Sequence, residues 1–569
     1  MRNYMSKTWR DVTSTPTESD SKAKINQYKF PLLVILAGVL FSLFLQWQLP
    51  NDVFFSGDAG LKALLAKQFS SGQFRFDLNL PVEQWVRNLW QNGLYPFQEP
   101  FVYNRFGQYY ITFPFTFPLV TAPFQALFGY RGLYVVPLIA TWAAWISFYF
   151  ACRRLKLKAF STAIALAILI FASPLSIYSA MYWEHTLAVA LCFQGVATLL
   201  IPGTEGLSKK DAVLSGIFLG LSVWFREEIL GIVALLSVLV FAASFFKLKK
   251  LQFLAKRKEL FVVSTFFTIA IFFVLNTLIY KHPLGMHSVQ IVEKFSLIDR
   301  LLVAVKNFEQ MSSDLFYYFP MTLFAVLYLG VSLFSRQKLK LNLGMTVIYA
   351  TCLFFTVAVA VMVPAGAGGK QWGPRFLLVL VPLICLIAIR EFEFVRRLTK
   401  GSIKKIGTVI FLVLFIIGVY KNTYSGTAYL SEIYQGISPA IQFLRSQPET
   451  VVAMSNQYVA QVLQAPLPEK VFFLTKEPQD LQTLGEALIE QKQEKFIYVC
   501  LYTRSCQISK EKPENVTLPL ENQQFTMKFL PLGKYGNYPI FQGSIASRSP
   551  ATPTSASSPV PSSIPLDRR

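Results

Sequence analysis

The chain has 569 residues, enough for several soluble domains, yet 53% are hydrophobic, only 15% are charged and mean hydropathy is +0.42. That balance excludes a soluble multidomain protein and fits a polytopic membrane protein, in which 52 Phe suit lipid-facing helices. The net charge of +22 sits largely in short Lys/Arg runs beside apolar stretches, which marks cytoplasmic loops and argues against a nucleic-acid partner.

Residues 1–30 are polar and basic and read as a cytoplasmic tail. PLLVILAGVLFSLFLQWQL (31–49) is long enough to span and lacks a small-residue cleavage site, so it reads as an anchor. Residues 51–132 form a first outer loop. Within it ITFPFTFPLVTAPFQALFG (111–129) carries Pro114, Pro118 and Pro123 and should lie along the interface or re-enter instead of crossing. Ten further spans are expected near 133–152, 160–178, 186–201, 212–225, 228–246, 259–280, 317–334, 343–363, 375–389 and 406–420, making eleven. This topology puts 27 basic residues in the tail and inner loops and 13 in the outer loops before residue 421, as the positive-inside rule requires. It places all three histidines (His185, His282 and His287) and the C-terminal region outside. The protein is then an integral plasma (inner) membrane protein with its N-terminus cytoplasmic.

Residues 432–545 read as a small extracytoplasmic α/β domain. VVAMS (451–455), KVFFLT (470–475) and KFIYVCLY (495–502) have strand character, DLQTLGEALIEQ (480–491) is helical, and a hairpin is expected around Gly533 and Gly536. Residues 546–569, rich in Ser and Pro, should be disordered. Cys152, Cys192, Cys352 and Cys385 lie in or beside apolar segments as packing residues, whereas Cys500 and Cys506 could pair in an oxidising compartment.

Ionisable residues at a membrane edge are costly and are functional candidates by default. Four clusters meet at the outer face. They are Asp58 in FFSGDAGLK; Trp183, Glu184 and His185 in YWEHT; Arg226, Glu227 and Glu228 in WFREEIL; and Lys370, Gln371, Trp372 and Arg375 in GGKQWGPRF. Together they suit transfer from a phosphate-linked lipid donor. Arg226, Lys370 and Arg375 could clamp a phosphate leaving group, Arg through its planar fork. Asp58 could take the proton of an acceptor hydroxyl, with Glu184 and His185 assisting as acid/base or orienting the acceptor. Trp183, Glu227, Glu228, Gln371 and Trp372 are candidates for acceptor and sugar contacts. Asp58 and Glu184 are the candidate ligands should a divalent cation take part. Each cluster also has a plain structural reading: Asp58 as a helix N-cap, Glu184–His185 as a tight turn, Arg226 paired with a neighbouring Glu, and Lys370 and Arg375 snorkelling from a loop.

In their order and sidedness these motifs resemble the GT-C superfamily of polytopic glycosyltransferases, which includes the protein O-mannosyltransferases, the lipid A aminoarabinose transferases and many uncharacterised bacterial, including cyanobacterial, relatives. The resemblance runs through residues 31–420 and implies a transmembrane catalytic domain. It implies an inverting transfer from a polyprenyl-phosphate sugar at the outer face, with Asp58 as base or metal-associated carboxylate, for glycosylation in the cell envelope. The acceptor could be protein, lipid or glycan. The first acidic motif has one Asp where better-known subfamilies have an Asp-Glu pair, and no WWD-type motif of oligosaccharyltransferases occurs. The alternatives are a flippase or transporter for a lipid-linked sugar, which would predict inverted repeats that the sequence lacks, and a polysaccharide ligase using a pyrophosphate-linked donor.

Overall fold

The computed structural model describes residues 18–201, 207–246, 257–289, 296–334, 343–363, 371–397, 401–501, 508, 511–520 and 525–547. Its helices are α1 (Glu18–Trp47), α2 (Gly57–Ser70), α3 (Gln84–Leu89), α4 (Thr116–Phe128), α5 (Val135–Arg154), α6 (Ala159–Phe171), α7 (His185–Leu200), α8 (Lys209–Val223), α9 (Leu230–Phe245) and α10 (Lys258–Tyr280). They continue with α11 (Gly285–Ser288), α12 (Leu297–Tyr318), α13 (Met321–Phe334), α14 (Leu343–Met362), α15 (Val381–Arg397), α16 (Gly401–Val419), α17 (Gly426–Ser446), α18 (Gln457–Val462) and α19 (Pro478–Glu490). Two compact units result. One holds the described residues up to Leu80 and from Gln98 to Ser438; the other holds Pro81–Phe97 and the chain from Pro439 onward.

The first unit is a helical membrane domain. Among the described residues six helical stretches are long and apolar enough to cross a bilayer: Tyr28–Trp47, Thr116–Arg154, Glu227–Phe245, Lys258–Tyr280, Gly344–Met362 and Gly401–Ser446. A seventh is added if α6 and the short 3-10 helix Pro174–Ala180, bent by 52°, are one span. A helix lies in each of the eleven expected segments, but α7, α8 and α13 have 16, 15 and 14 residues. They fall short of the roughly 20 residues of a straight span. At α7 and α8 the missing length is taken up by the turns that carry Glu184 and Arg226.

Small residues bring these helices together where lipid offers no hydrophobic drive. Gly216 and Gly220 form a GxxxG pair on α8 against α10, and a Cβ at Gly216 would stand 2.6 Å from the carbonyl oxygen of Phe261. That oxygen is backbone and cannot yield, so only Gly permits the spacing. Asn422, which is buried, ties the ends of α6 and α12 to the end of α16. Its Nδ2 donates to the carbonyls of Ala172 (3.1 Å), Tyr318 (2.7 Å) and Gly418 (3.1 Å), and its Oδ1 accepts from the Trp372 indole at 3.1 Å. In the outer loop, β1 (Val102–Arg105) and β2 (Gln108–Ile111) form an antiparallel hairpin that the sequence reading did not anticipate.

The second unit contains a six-stranded sheet of β3 (Val451–Met454), β4 (Val471–Leu474), β5 (Lys495–Val499), β6 (Thr517–Pro519), β7 (Phe525–Tyr535) and β8 (Tyr538–Ser547), in the order β4-β3-β5-β8-β7-β6. The β3–β4 and β3–β5 pairings are parallel and the other three antiparallel. The expected strands, helix and final hairpin are all present. Two features are additional. The strand β6 extends the sheet, and Pro81–Phe97 from the outer loop joins this unit. There the Trp90 indole donates to the Phe472 carbonyl at 3.0 Å and the Trp85 ring lies 5.7 Å from that of Phe473. Cys500 is disulfide-bonded, whereas Cys506 and most of the Ser/Pro-rich tail lie outside the described residues.

Candidate active site

The site is built at the ends of four elements of the membrane unit. Ser56, not Asp58, caps α2: its Oγ accepts from the Ala59 N–H at 3.4 Å and from the Trp183 indole at 3.1 Å. Asp58 is therefore released from capping. It sits in the first helical turn, where the dipole favours a negative charge, and Lys62 lies one turn on. The segment Met181–Glu184 leads into α7, with Glu184 at its N-cap and no capping hydrogen bond from its side chain. Between α8 and α9 the chain leaves the helix at Trp224, whose carbonyl accepts from the Thr116 hydroxyl at 2.5 Å. Arg226 is extended there before the short 3-10 helix Glu227–Ile229. Gly373, at φ +75°, turns the chain so that Arg375 opens a second 3-10 segment before α15.

These ends enclose a cavity of about 70 Å³ lined by Asp58, Lys62, Glu184, His185, Arg226, Glu227, Glu228, His287 and Arg375, with aromatic walls that include Phe113 and Phe376. The charges interlock. Glu184 receives Lys62 Nζ on Oε2 at 2.5 Å and Arg226 Nη1 on Oε1 at 3.2 Å. Arg226 also grips Glu228 Oε1 through Nη2 at 2.5 Å. Arg375 Nη1 meets Asp58 Oδ2 at 3.3 Å, and its guanidinium lies over Phe376 (4.8 Å) and Trp183 (5.5 Å).

The two carboxylates differ in kind. The Glu184 side chain is 3% exposed and carries a cation on each oxygen. Burial pushes its carboxyl up, but Lys62 and Arg226 more than reverse this and hold it below the usual range. Burial lowers the Lys62 ammonium, offset in part by Glu184 and Asp58. Asp58 is 17% exposed on the cavity wall and pairs with one cation among the described residues. Two residues lining the cavity keep buried nitrogens without a hydrogen-bond partner among the described residues. Arg375 Nε is buried with no hydrogen-bond partner, and neither ring nitrogen of His185 has one, although this residue is 3% exposed. Buried polar atoms of this sort call for a partner, whether water, an ion or a ligand. For a divalent cation the donor set does not fit. No three His, Cys, Asp or Glu side chains among the described residues are grouped to hold one, and Asp58 and Glu184 both face cations.

Of the residues singled out in the sequence, Asp58, Glu184, His185, Arg226, Glu227, Glu228 and Arg375 are brought together around this cavity. Trp183 supports it from behind, 1% exposed. Trp372 does not line it; it packs against Tyr318 (4.9 Å) and Tyr429 (5.1 Å). Gln371 does not line it either, and Lys370 lies outside the described residues. Lys62 and His287 were missed as site residues. Lys62 had a usable signal, one helical turn after Asp58 on a buried face; His287 had none. Its imidazole is pushed down to about 4 by burial and by Arg226 and Arg375.

No family model matches the sequence, and no curated protein matches it. Solved structures do match in fold. A structure of ArnT from Cupriavidus metallidurans bound to undecaprenyl phosphate superposes with a TM-score of 0.52 at 12% identity, covering 90% of this chain and 97% of that one. The apo form of the same protein gives 0.50 at 12% identity over the same shares. An oligosaccharyltransferase from Archaeoglobus fulgidus gives 0.48 at 12% identity, covering 82% of this chain and 69% of that chain.

Proposed function

From a chain with the fold of the polytopic GT-C membrane glycosyltransferases, we propose an integral membrane enzyme that moves a sugar from a polyprenyl-phosphate donor to an acceptor hydroxyl at the extracytoplasmic face. The observation that carries this reading is the cavity itself: a solvent-reached carboxylate, Asp58, beside Arg375 with its unspent Nε, backed by a buried network that fixes Lys62 and Arg226.

Asp58 accepts the acceptor's proton as the hydroxyl oxygen bonds to the anomeric carbon. The bond from that carbon to the phosphate oxygen breaks on the opposite side, inverting the centre and leaving the polyprenyl phosphate as product. Arg375, with Arg226 and Lys62 behind it, stabilises the charge that develops on the phosphate, which is the largest electrostatic demand of the step. Glu184 acts as the anchor that holds two cations in place. His185 has both ring nitrogens free for the sugar or phosphate. The domain layout follows: residues 31–420 catalytic and 432–545, joined by residues 81–97, outside and suited to acceptor recognition.

The test is turnover of radiolabelled polyprenyl-phosphate sugars by the full-length protein in lipid, wild type against Asp58→Asn. A general base accounts for about 10²–10⁴-fold, so a loss of that size with donor binding and folding retained is expected. Donor bound by both forms and turned over by neither would favour a flippase and overturn the reading.

A further inference from the structure

A second cavity, of about 640 Å³, opens at the other end of the membrane unit, beside the basic inner loops. Its apolar walls include Val34 of α1, Ala163 and Ala167 of α6 and Phe415 of α16; its polar end is Arg396 of α15 with Lys404 of α16. Ala163 and Ala167, four residues apart on one helix face, recess that wall. From Lys404 to Phe415 the helix rises about 16 Å, which matches one leaflet of a hydrocarbon core about 30 Å thick. Arg396 and Lys404 are both exposed, and neither pairs with a carboxylate among the described residues; the nearby acid, Glu393, is taken by Arg390 (3.4 Å) and Arg397 (3.8 Å). The groove thus offers one leaflet's depth of apolar wall and, where a headgroup would lie, two cations without a carboxylate partner among the described residues, Arg396 over the Phe392 ring at 5.9 Å.

We propose that this groove is a site for an anionic phospholipid of the inner leaflet, its acyl chain against Ala163 and Ala167 and its phosphate between Arg396 and Lys404. The charge complementarity selects the occupant: a zwitterionic lipid carries its own cation and gains little there, and a free phosphate leaves the apolar wall unused. The proposal is independent of the transferase reading, since the site shares no residue with the catalytic cavity.

The experiment is native mass spectrometry of the full-length protein released from nanodiscs of phosphatidylglycerol mixed with phosphatidylcholine. Wild type should retain phosphatidylglycerol in preference. The double variant Arg396→Gln/Lys404→Gln should lose about 30-fold of that preference, from about 1 kcal/mol per basic residue near the surface. Ala167→Phe, which fills the recess and keeps both charges, should lower retention of both lipids. Arg397→Gln, whose charge is already spent on Glu393, controls for general charge loss and should leave the preference unchanged. Equal retention of the two lipids by wild type would overturn the proposal. So would a preference that survives the double variant, or displacement of the lipid by soluble glycerol phosphate with Ala167→Phe behaving as wild type.

Discussion

Substituting Glu184→Gln removes the charge that two buried cations share, and the consequences divide unequally between them. Arg226 keeps Glu228 at 2.5 Å. Lys62, 2% exposed, loses its close partner and retains only the field of Asp58. Removing one member of a buried pair costs about 3–5 kcal/mol. The lower end applies here, because Lys62 can shed its proton once Glu184 no longer holds it on, which limits the penalty. The double variant Lys62→Met/Glu184→Gln removes the stranded charge and lays an apolar chain against Phe113, over which Lys62 now sits at 4.5 Å. It should regain about 2–3 kcal/mol of the loss, within the coupling expected of residues in contact. The assay is unfolding in mixed micelles by SDS titration for wild type, both single variants and the double. It should be repeated at low and high NaCl, since a pair this buried is screened little. A double variant as unstable as Glu184→Gln alone would refute the assignment of Glu184 as the anchor of Lys62.

Three further outcomes follow from the same geometry. Ser56→Ala removes the cap of α2 and the acceptor of the Trp183 indole, and should cost about 1–2 kcal/mol in the same titration, with weaker donor binding because Trp183 supports Arg375. Arg375→Lys keeps the charge but loses the planar fork and the unspent Nε. The donor KM should rise about tenfold or more, the equivalent of one charge-assisted hydrogen bond at about 1.5 kcal/mol, and an unchanged KM would remove Arg375 from donor recognition. His287 has a folded-state pKa of about 4 against 6.5 for the free side chain, so between those values only the unfolded chain takes up the proton. The share of stability that His287 contributes should therefore fall as pH is lowered from about 6.5 to about 4, read as the difference between wild type and His287→Gln across that range.

What the sequence revealed about the fold and the site depended on range. The strands of the second unit were legible because Val451–Met454 and Val471–Leu474 are short apolar runs bounded by turn residues, a local signal. Asp58, Glu184, Arg226 and Arg375 stood out because ionisable residues at the ends of apolar helices are rare. Their pairing was not legible. Nothing local says that Lys62 would neutralise Glu184, 122 residues away, or that Arg226 would choose Glu228 and Glu184 over Glu227. The packing of Trp372 was not legible for a related reason: a tryptophan in a loop serves packing or recognition equally well, and here Asn422 and two tyrosines contact it away from the cavity. Hydropathy located the apolar segments of α7 and α8 but not their lengths of 16 and 15 residues, because the turns that carry Glu184 and Arg226 adjoin them.

The joining of Pro81–Phe97 to the C-terminal sheet has a consequence for biogenesis. Trp90 donates to a carbonyl 382 positions later in the chain, so its indole and the neighbouring Trp85 ring leave the ribosome long before the strand that receives them exists. The C-terminal unit cannot complete its core until nearly the whole membrane domain has been inserted, and a fragment beginning after α17 would start life with that core open. An unfinished chain thus keeps two tryptophans on display, a signal that proteases and chaperones can read as incomplete synthesis.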